Sequence, residues 1–170
     1  MLIDLTELYE KQEHLNNLIL EKHQLTRDSI LQETKLATLV ELAELANEVR
    51  SFKYWSYKGM NDRSIVLEEY VDGIHFALTI GIILNLPKKI DIPTISITND
   101  RKILTKHFND LFNLLNRVEF TDESQNVENA KKYLAAYLAF GYTIGFDFKE
   151  IVNAYNAKYE INLKRQRENY

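Results

Sequence analysis

Apolar residues recur along most of this chain at helical spacing. Leu2, Leu5, Leu8, Leu15 and Leu18 mark one face of a first helix running to about Lys22. Thr26 or Asp28 caps a second helix, which carries Ile30, Leu36, Leu39, Leu42 and Leu45 and ends near Tyr54. "YKGMND" reads as a turn. A third helix is predicted from about Ser64 to Leu84, stopping short of Pro87 because the residue before a proline is pushed out of the helical region. Within it, "IHFALTIGIILNLP" is the longest apolar stretch, too short to span a bilayer and therefore expected as a buried helix. The β-branched residues and prolines of "KKIDIPTISITND" predict an extended connector with a strand turn. Asn99 or Asp100 starts a fourth helix to about Arg117, and "TDESQ" offers caps for a fifth from about Glu123 to Gly141. Asp147 caps a sixth that runs to the charged C-terminus. The pattern predicts one all-α domain over 1–170, a bundle of about six helices with a four-helix core.

Composition narrows the class. The 170 residues are 45% hydrophobic and 27% charged, enough apolar material for one globular core. Five glycines and two prolines leave little for loops and favour long helices. The absence of cysteine removes disulfides and thiolate metal sites and suits a reducing cytoplasm. A net charge of −4 argues against a nucleic-acid partner, which normally selects basic surfaces. "MLIDLTELYEKQEH" carries acids within its first ten residues and no apolar run, so it is not expected to be a signal peptide.

The chemistry sits in the carboxylates. Glu41 and Glu44 lie three apart on the second predicted helix, and Glu69 and Asp72 lie three apart on the third. Residues at that spacing share a helix face, and helices joined by a short turn pack antiparallel, so the two pairs can meet at one locus. Four like charges repel there unless cations convert the repulsion into coordination. Oxygen-only ligands, without Cys or clustered His, suit Mg²⁺, with Mn²⁺ as the alternative. Mg²⁺ held by few carboxylates keeps positions that phosphate oxygens fill, which implies metal-assisted hydrolysis of a phosphate ester or anhydride. A solvated helix face is the competing explanation of such spacing. The apolar neighbours Ile65, Tyr70, Val71, Ile74, His75 and Phe76 speak against it for the third helix.

Three blocks then carry a resemblance: "ELAELANEVRSFKYWS" (41–56), "EEYVDGIHFALTIG" (68–81) and "AYNAKYEINLKRQRENY" (154–170). The E-x-x-E…E-x-x-D arrangement resembles the all-α nucleotide pyrophosphatase (MazG-like) superfamily, and "FKYWS" and "NLKRQ" in their places resemble the dimeric all-α dUTPases. "KQEHLNN" (11–17) is a weaker fourth block, so the resemblance covers essentially the whole chain. It implies an all-α pyrophosphatase fold, a homodimer, and hydrolysis of dUTP and dUDP by metal-activated water. It further implies that Glu41, Glu44, Glu69 and Asp72 hold the metal, with one of the first pair, preferentially Glu41, orienting or deprotonating the water. Gln12 and Asn16 would read the base edge, since an amide offers both donor and acceptor to uracil's alternating O4, N3–H and O2. Trp55 and Phe76 would wall the base or sugar, and His75 would lie near the nucleoside. Lys53, Lys58, Lys158, Asn162 and Arg165 would contact phosphates. One departure is Asn169, where the family often has Gly before the closing Tyr.

Other roles compete for the same residues. Trp55, the only Trp, serves equally as a core or dimer anchor, and His75 as a hydrogen-bonded core histidine. His14, His23 and His107 read as surface residues. Lys164, Arg165 and Arg167 would ordinarily complement a helix C-terminus, and Gln12 could be an exposed polar position. For the whole protein, a dCTP or broader nucleotide pyrophosphatase is the nearest alternative, because a turned amide serves cytosine as well as uracil. A non-catalytic helical dimer that binds a regulator protein is the alternative of another class.

Overall fold

Helices carry nearly all of the regular structure in the computed structural model, which describes residues 1–119 and 123–168. In chain order they are α1 (Thr6–His23), α2 (Leu31–Val49), α3 (Arg63–Ile83), α4 (Arg101–Asn116), α5 (Glu123–Thr143) and α6 (Phe148–Arg167). The α3 helix is buried on almost every side, as its apolar run predicts, and α1, α2, α5 and α6 pack against it. The α4 helix lies against α2 and α5. This is an all-α bundle, and no helix among the described residues is long and apolar enough to cross a membrane.

Three departures from the sequence expectations have local causes. Leu2 is not helical: β1 (Leu2–Asp4) pairs antiparallel with β2 (Lys89–Asp91), matching Ile3 to Ile90. Both strands bury only their central isoleucine, and the terminal ammonium of Met1 bonds Asp91 Oδ1 (2.9 Å) and the Ile92 carbonyl (2.8 Å). The second helix is entered through a 3₁₀ turn (Arg27–Ile30) under a Thr26–Ser29 capping box, which selects Thr26 over Asp28. It ends at Val49 rather than Tyr54, because Arg50 adopts a left-handed conformation (φ 61°) and residues 51–62 leave as an irregular segment. The cap candidates Thr121 and Asp122 lie outside the described residues. Asp147 caps α6 through a box with Glu150, and Asp100 caps α4, as expected.

Two reciprocal contacts fix α3 against α5. Tyr70 and Tyr137 stack with centroids 5.0 Å apart and planes 2° from parallel, and each hydroxyl donates to the other's backbone carbonyl, at 3.2 and 3.0 Å. The tip of Tyr137 fills the space a Cβ would need at Gly73, and the tip of Tyr70 does the same at Gly141. Any side chain at either glycine would force the helices apart. Asp72, beside Gly73, is thereby held in place.

Candidate active site

The α2 and α3 helices run antiparallel: Glu41 approaches Asp72, while Glu48, seven residues on, accepts from Asn61 at the approach to α3. One carboxylate oxygen each from Glu41, Glu69 and Asp72 can be chosen so that all three lie within 4.8 Å of one another. All three side chains are half-buried. Burial, then the charges of Asp72, Glu44 and Glu69, push the Glu41 carboxyl up to about 7. Burial, then Glu44 and Asp72, also raise Glu69. Asp72 is raised by burial despite its contact with Lys158. Glu44 is exposed and lies outside the group of three, but its charge reaches Glu41 and Glu69.

A single lysine answers this charge from α6. Lys158 Nζ lies 2.6 Å from Asp72 Oδ2 and 3.1 Å from Glu68 Oε1. Burial opposes its charge, yet the two carboxylates outweigh burial and hold its pKa above the ordinary lysine range. The locus thus keeps an excess of negative charge, and its ligand atoms are all hard oxygens. That donor set fits a divalent cation such as Mg²⁺ or Mn²⁺.

A cavity of about 320 Å³ opens beside the carboxylates. Glu41 and Asp72 stand at one end, and Lys158, Asn162 and Arg165 of α6 supply a donor-rich wall. His75 and Phe76, one turn beyond Asp72 on α3, line the middle. Thr79, Gln12 and Asn16 follow, with Leu15, Ile19, Leu20 and Ile30 as apolar wall. Such a gradient from charged to apolar suits a ligand with a polyanionic tail and a planar head.

The polar groups at the far end are bonded to each other. Gln12 Oε1 lies 2.7 Å from both His75 Nδ1 and the Tyr155 hydroxyl. Gln12 Nε2 donates to Asn16 Oδ1 (2.9 Å) and Thr79 Oγ1 (3.1 Å), and Thr79 lies 3.2 Å from Asn16 Oδ1. The His75 ring stacks on Tyr155 at 4.1 Å, and its Nε2 is buried without a partner. Burial, reinforced by Lys158, lowers the His75 pKa to about 3, so the ring is neutral.

Of the predicted site residues, the cavity therefore gathers Gln12, Asn16, Glu41, Asp72, His75, Phe76, Lys158, Asn162 and Arg165, with Glu69 and Glu44 beside the acidic end. Lys53, Trp55 and Lys58 are not brought to it. The left-handed turn at Arg50 throws them onto the surface segment, where Trp55 is 64% exposed and packs edge-on to Phe52 and Tyr54. Lys53 donates to the Asn47 carbonyl there, and Lys58 is exposed. Gln12 is buried rather than exposed, with its amide fully used inside the protein. Among the surface histidines expected, His14 and His23 are exposed, while His107 is half-buried with its ring against Phe140. Sequence inspection missed Thr79 and Tyr155. Both were findable by spacing: Thr79 follows His75 by four on α3, and Tyr155 precedes Lys158 by three and Asn162 by seven on α6.

A family model described as dUTPase matches residues 4–170 of the chain. No curated protein matches it significantly.

Proposed function

Because the chain belongs to the all-α dUTPase family and is a dUTP diphosphatase, we propose how it works: Mg²⁺, replaceable by Mn²⁺, is held by Glu41, Glu44, Glu69 and Asp72, and dUDP is accepted as well as dUTP. Hydrolysis of dUTP yields dUMP and pyrophosphate, and hydrolysis of dUDP yields dUMP and phosphate. A divalent ion bound there supplies a lowered water pKa and charge neutralisation on the phosphate chain. The chain's own residues do the rest. Glu41 orients the attacking water and takes its proton, a role suited to a carboxylate whose pKa is pushed up to about 7. Lys158, Asn162 and Arg165 hold phosphate oxygens from the facing wall, and Phe76 packs on the nucleoside. Asn16 faces the base edge.

One observation carries this reading: carboxylates from adjoining helices converge within 4.8 Å beside a nucleotide-sized cavity to which α6 adds Lys158 and Arg165. The test is pyrophosphate release across the deoxynucleoside triphosphates, with Mg²⁺ and with EDTA. Release from dUTP that needs the ion is expected. Activity that survives thorough EDTA treatment would remove the metal from the scheme, and preference for dCTP would reassign the substrate.

The homodimer is part of the same proposal. Its support is the apolar surface that a single chain leaves bare: Leu36 (62% exposed) and Val40 one turn later on α2, and Phe52, Tyr54 and Trp55 beyond its end. Sedimentation equilibrium at about 40 kDa is expected, twice the 20.0 kDa chain mass. A monomer at micromolar concentration would count against it.

A further inference from the structure

We propose that Tyr155, which does not line the cavity, selects uracil over cytosine by setting the direction of the hydrogen bonds that run from its hydroxyl through Gln12 to Asn16 and His75. The proposal rests on the dUTP reading above. It concerns a positioning residue that touches no substrate atom.

The chain of bonds has two self-consistent settings, because an amide turned by 180° fills the same space. In the first, the Tyr155 hydroxyl and the His75 Nδ1–H both donate to Gln12 Oε1, and the Gln12 amino group donates to Asn16 Oδ1 and Thr79. Asn16 Oδ1 then accepts from the Gln12 amino group, with the Thr79 hydroxyl shared between it (3.2 Å) and the His75 carbonyl (3.0 Å), so the Asn16 amino group is left to face the cavity. His75, protonated on Nδ1, presents a bare Nε2. The wall thus offers a donor and an acceptor, which complement the adjacent O4 and N3–H of uracil.

In the second setting both amides are turned. Gln12 donates to the tyrosine oxygen and to His75 Nδ1, the ring proton moves to Nε2, and Asn16 turns its oxygen to the cavity. The wall now offers an acceptor and a donor, which complement the amino group and bare N3 of cytosine. One hydroxyl decides between them. For the second setting Tyr155 must send its proton to the Leu8 carbonyl, which is farther (3.3 Å against 2.7 Å) and already accepts from Gln12 N–H within α1. Tyr155 is fully buried, so water offers no alternative. The buried, unpartnered His75 Nε2 is the group left waiting for the base.

Tyr155→Phe removes that bias and leaves the ring stacked on His75. The ratio of kcat/KM for dUTP to kcat/KM for dCTP is expected to fall at least tenfold, with the helical circular dichroism retained. A ratio within twofold of wild type in a folded variant would overturn the proposal. A second measurement does not depend on the variant's folding or on activity: ¹⁵N chemical shifts of the His75 ring in the wild-type protein. A proton on Nδ1 and a bare Nε2 are expected, whereas a proton on Nε2 would overturn the relay. Failure of the substrate assignment looks different, since wild-type protein would then hydrolyse neither nucleotide while the ring shifts still report the relay.

Discussion

The two ends of the cavity are built on opposite principles. At the acidic end, Glu41, Glu69 and Asp72 are pushed together against their own repulsion, with Lys158 as the cation in contact. At the far end, Gln12, Thr79, Asn16, His75 and Tyr155 satisfy one another almost completely. The first region stores unfavourable energy that a cationic ligand relieves, so it binds by neutralisation. The second has already fixed the orientation of its donors and acceptors, so it discriminates by rigid complementarity. On the proposed reading, affinity and selectivity fall to different ends of one site.

The strongest way to break this contrast is to discharge the acidic end. Asp72→Asn or Glu44→Gln should lower turnover by about a thousandfold or more, a loss typical of removing an essential charged group from a catalytic site. Thermal unfolding of ion-free Glu44→Gln should not fall, because one source of repulsion has gone, whereas Asp72→Asn also loses the ion pair with Lys158 and should be less stable. A large loss of stability in Glu44→Gln would instead mark that carboxylate as structural.

A smaller effect is expected from Lys158→Met, which keeps the stem but removes the charge. Loss of a charge-assisted contact of about 1.5–3 kcal/mol should lower kcat/KM for dUTP by roughly tenfold to a hundredfold. The selectivity between dUTP and dCTP should stay within twofold. A change in selectivity would show that the two ends are coupled.

Protonation provides a third test, read on stability in EDTA. Glu41 has a folded pKa near 7, above the ordinary 4.5, so the folded state holds a proton that the unfolded state releases. Its contribution is therefore fully present below about pH 4.5 and is lost as pH rises through about 7. Allowing for solvent screening of a half-exposed group, the loss should be on the order of 1–2 kcal/mol. Glu41→Gln should flatten that slope, and urea titrations at pH 5 and 8 measure it.

The smallest effect belongs to the far end. Thr79→Val leaves Gln12 one acceptor short, which should cost about 1 kcal/mol of stability. The loss should be the same at pH 5 and pH 8, since nothing in that network titrates between them. A pH-dependent loss would merge the two regions.

Much of this was legible in the sequence. Helices announce themselves through residues that repeat every three or four positions, so the sequence alone places α3 and its acid pair. Asp147 and Asp100 carry their capping role in their chemistry. The strand at Leu2–Asp4 was not legible, because three residues of alternation look the same as the edge of a helical stripe. The end of α2 was missed since Arg50 carries no left-handed signature, unlike Gly or Asn. Gln12 shows the deeper limit. The family resemblance assigns it to base reading, and no local pattern shows that its amide bonds His75 and Tyr155, which lie 63 and 143 residues away.

The paired tyrosines on α3 and α5 bear on how this protein can change over generations. Each of Tyr70 and Tyr137 occupies a notch that a glycine on the opposite helix leaves, so neither notch nor peg can drift alone. An alanine at Gly73 demands a smaller residue at 137, and that change empties a stacked ring and the hydroxyl's contact with the Tyr70 carbonyl. The four positions therefore travel as one inherited unit. The connector from 84 to 100, by contrast, does not determine how α3 meets α5, and most of its residues are exposed. Lineages are free to lengthen or rewrite its exposed stretch around Ile97, while β2 keeps its pairing with β1 and the acids on α3 stay where the tyrosines put them.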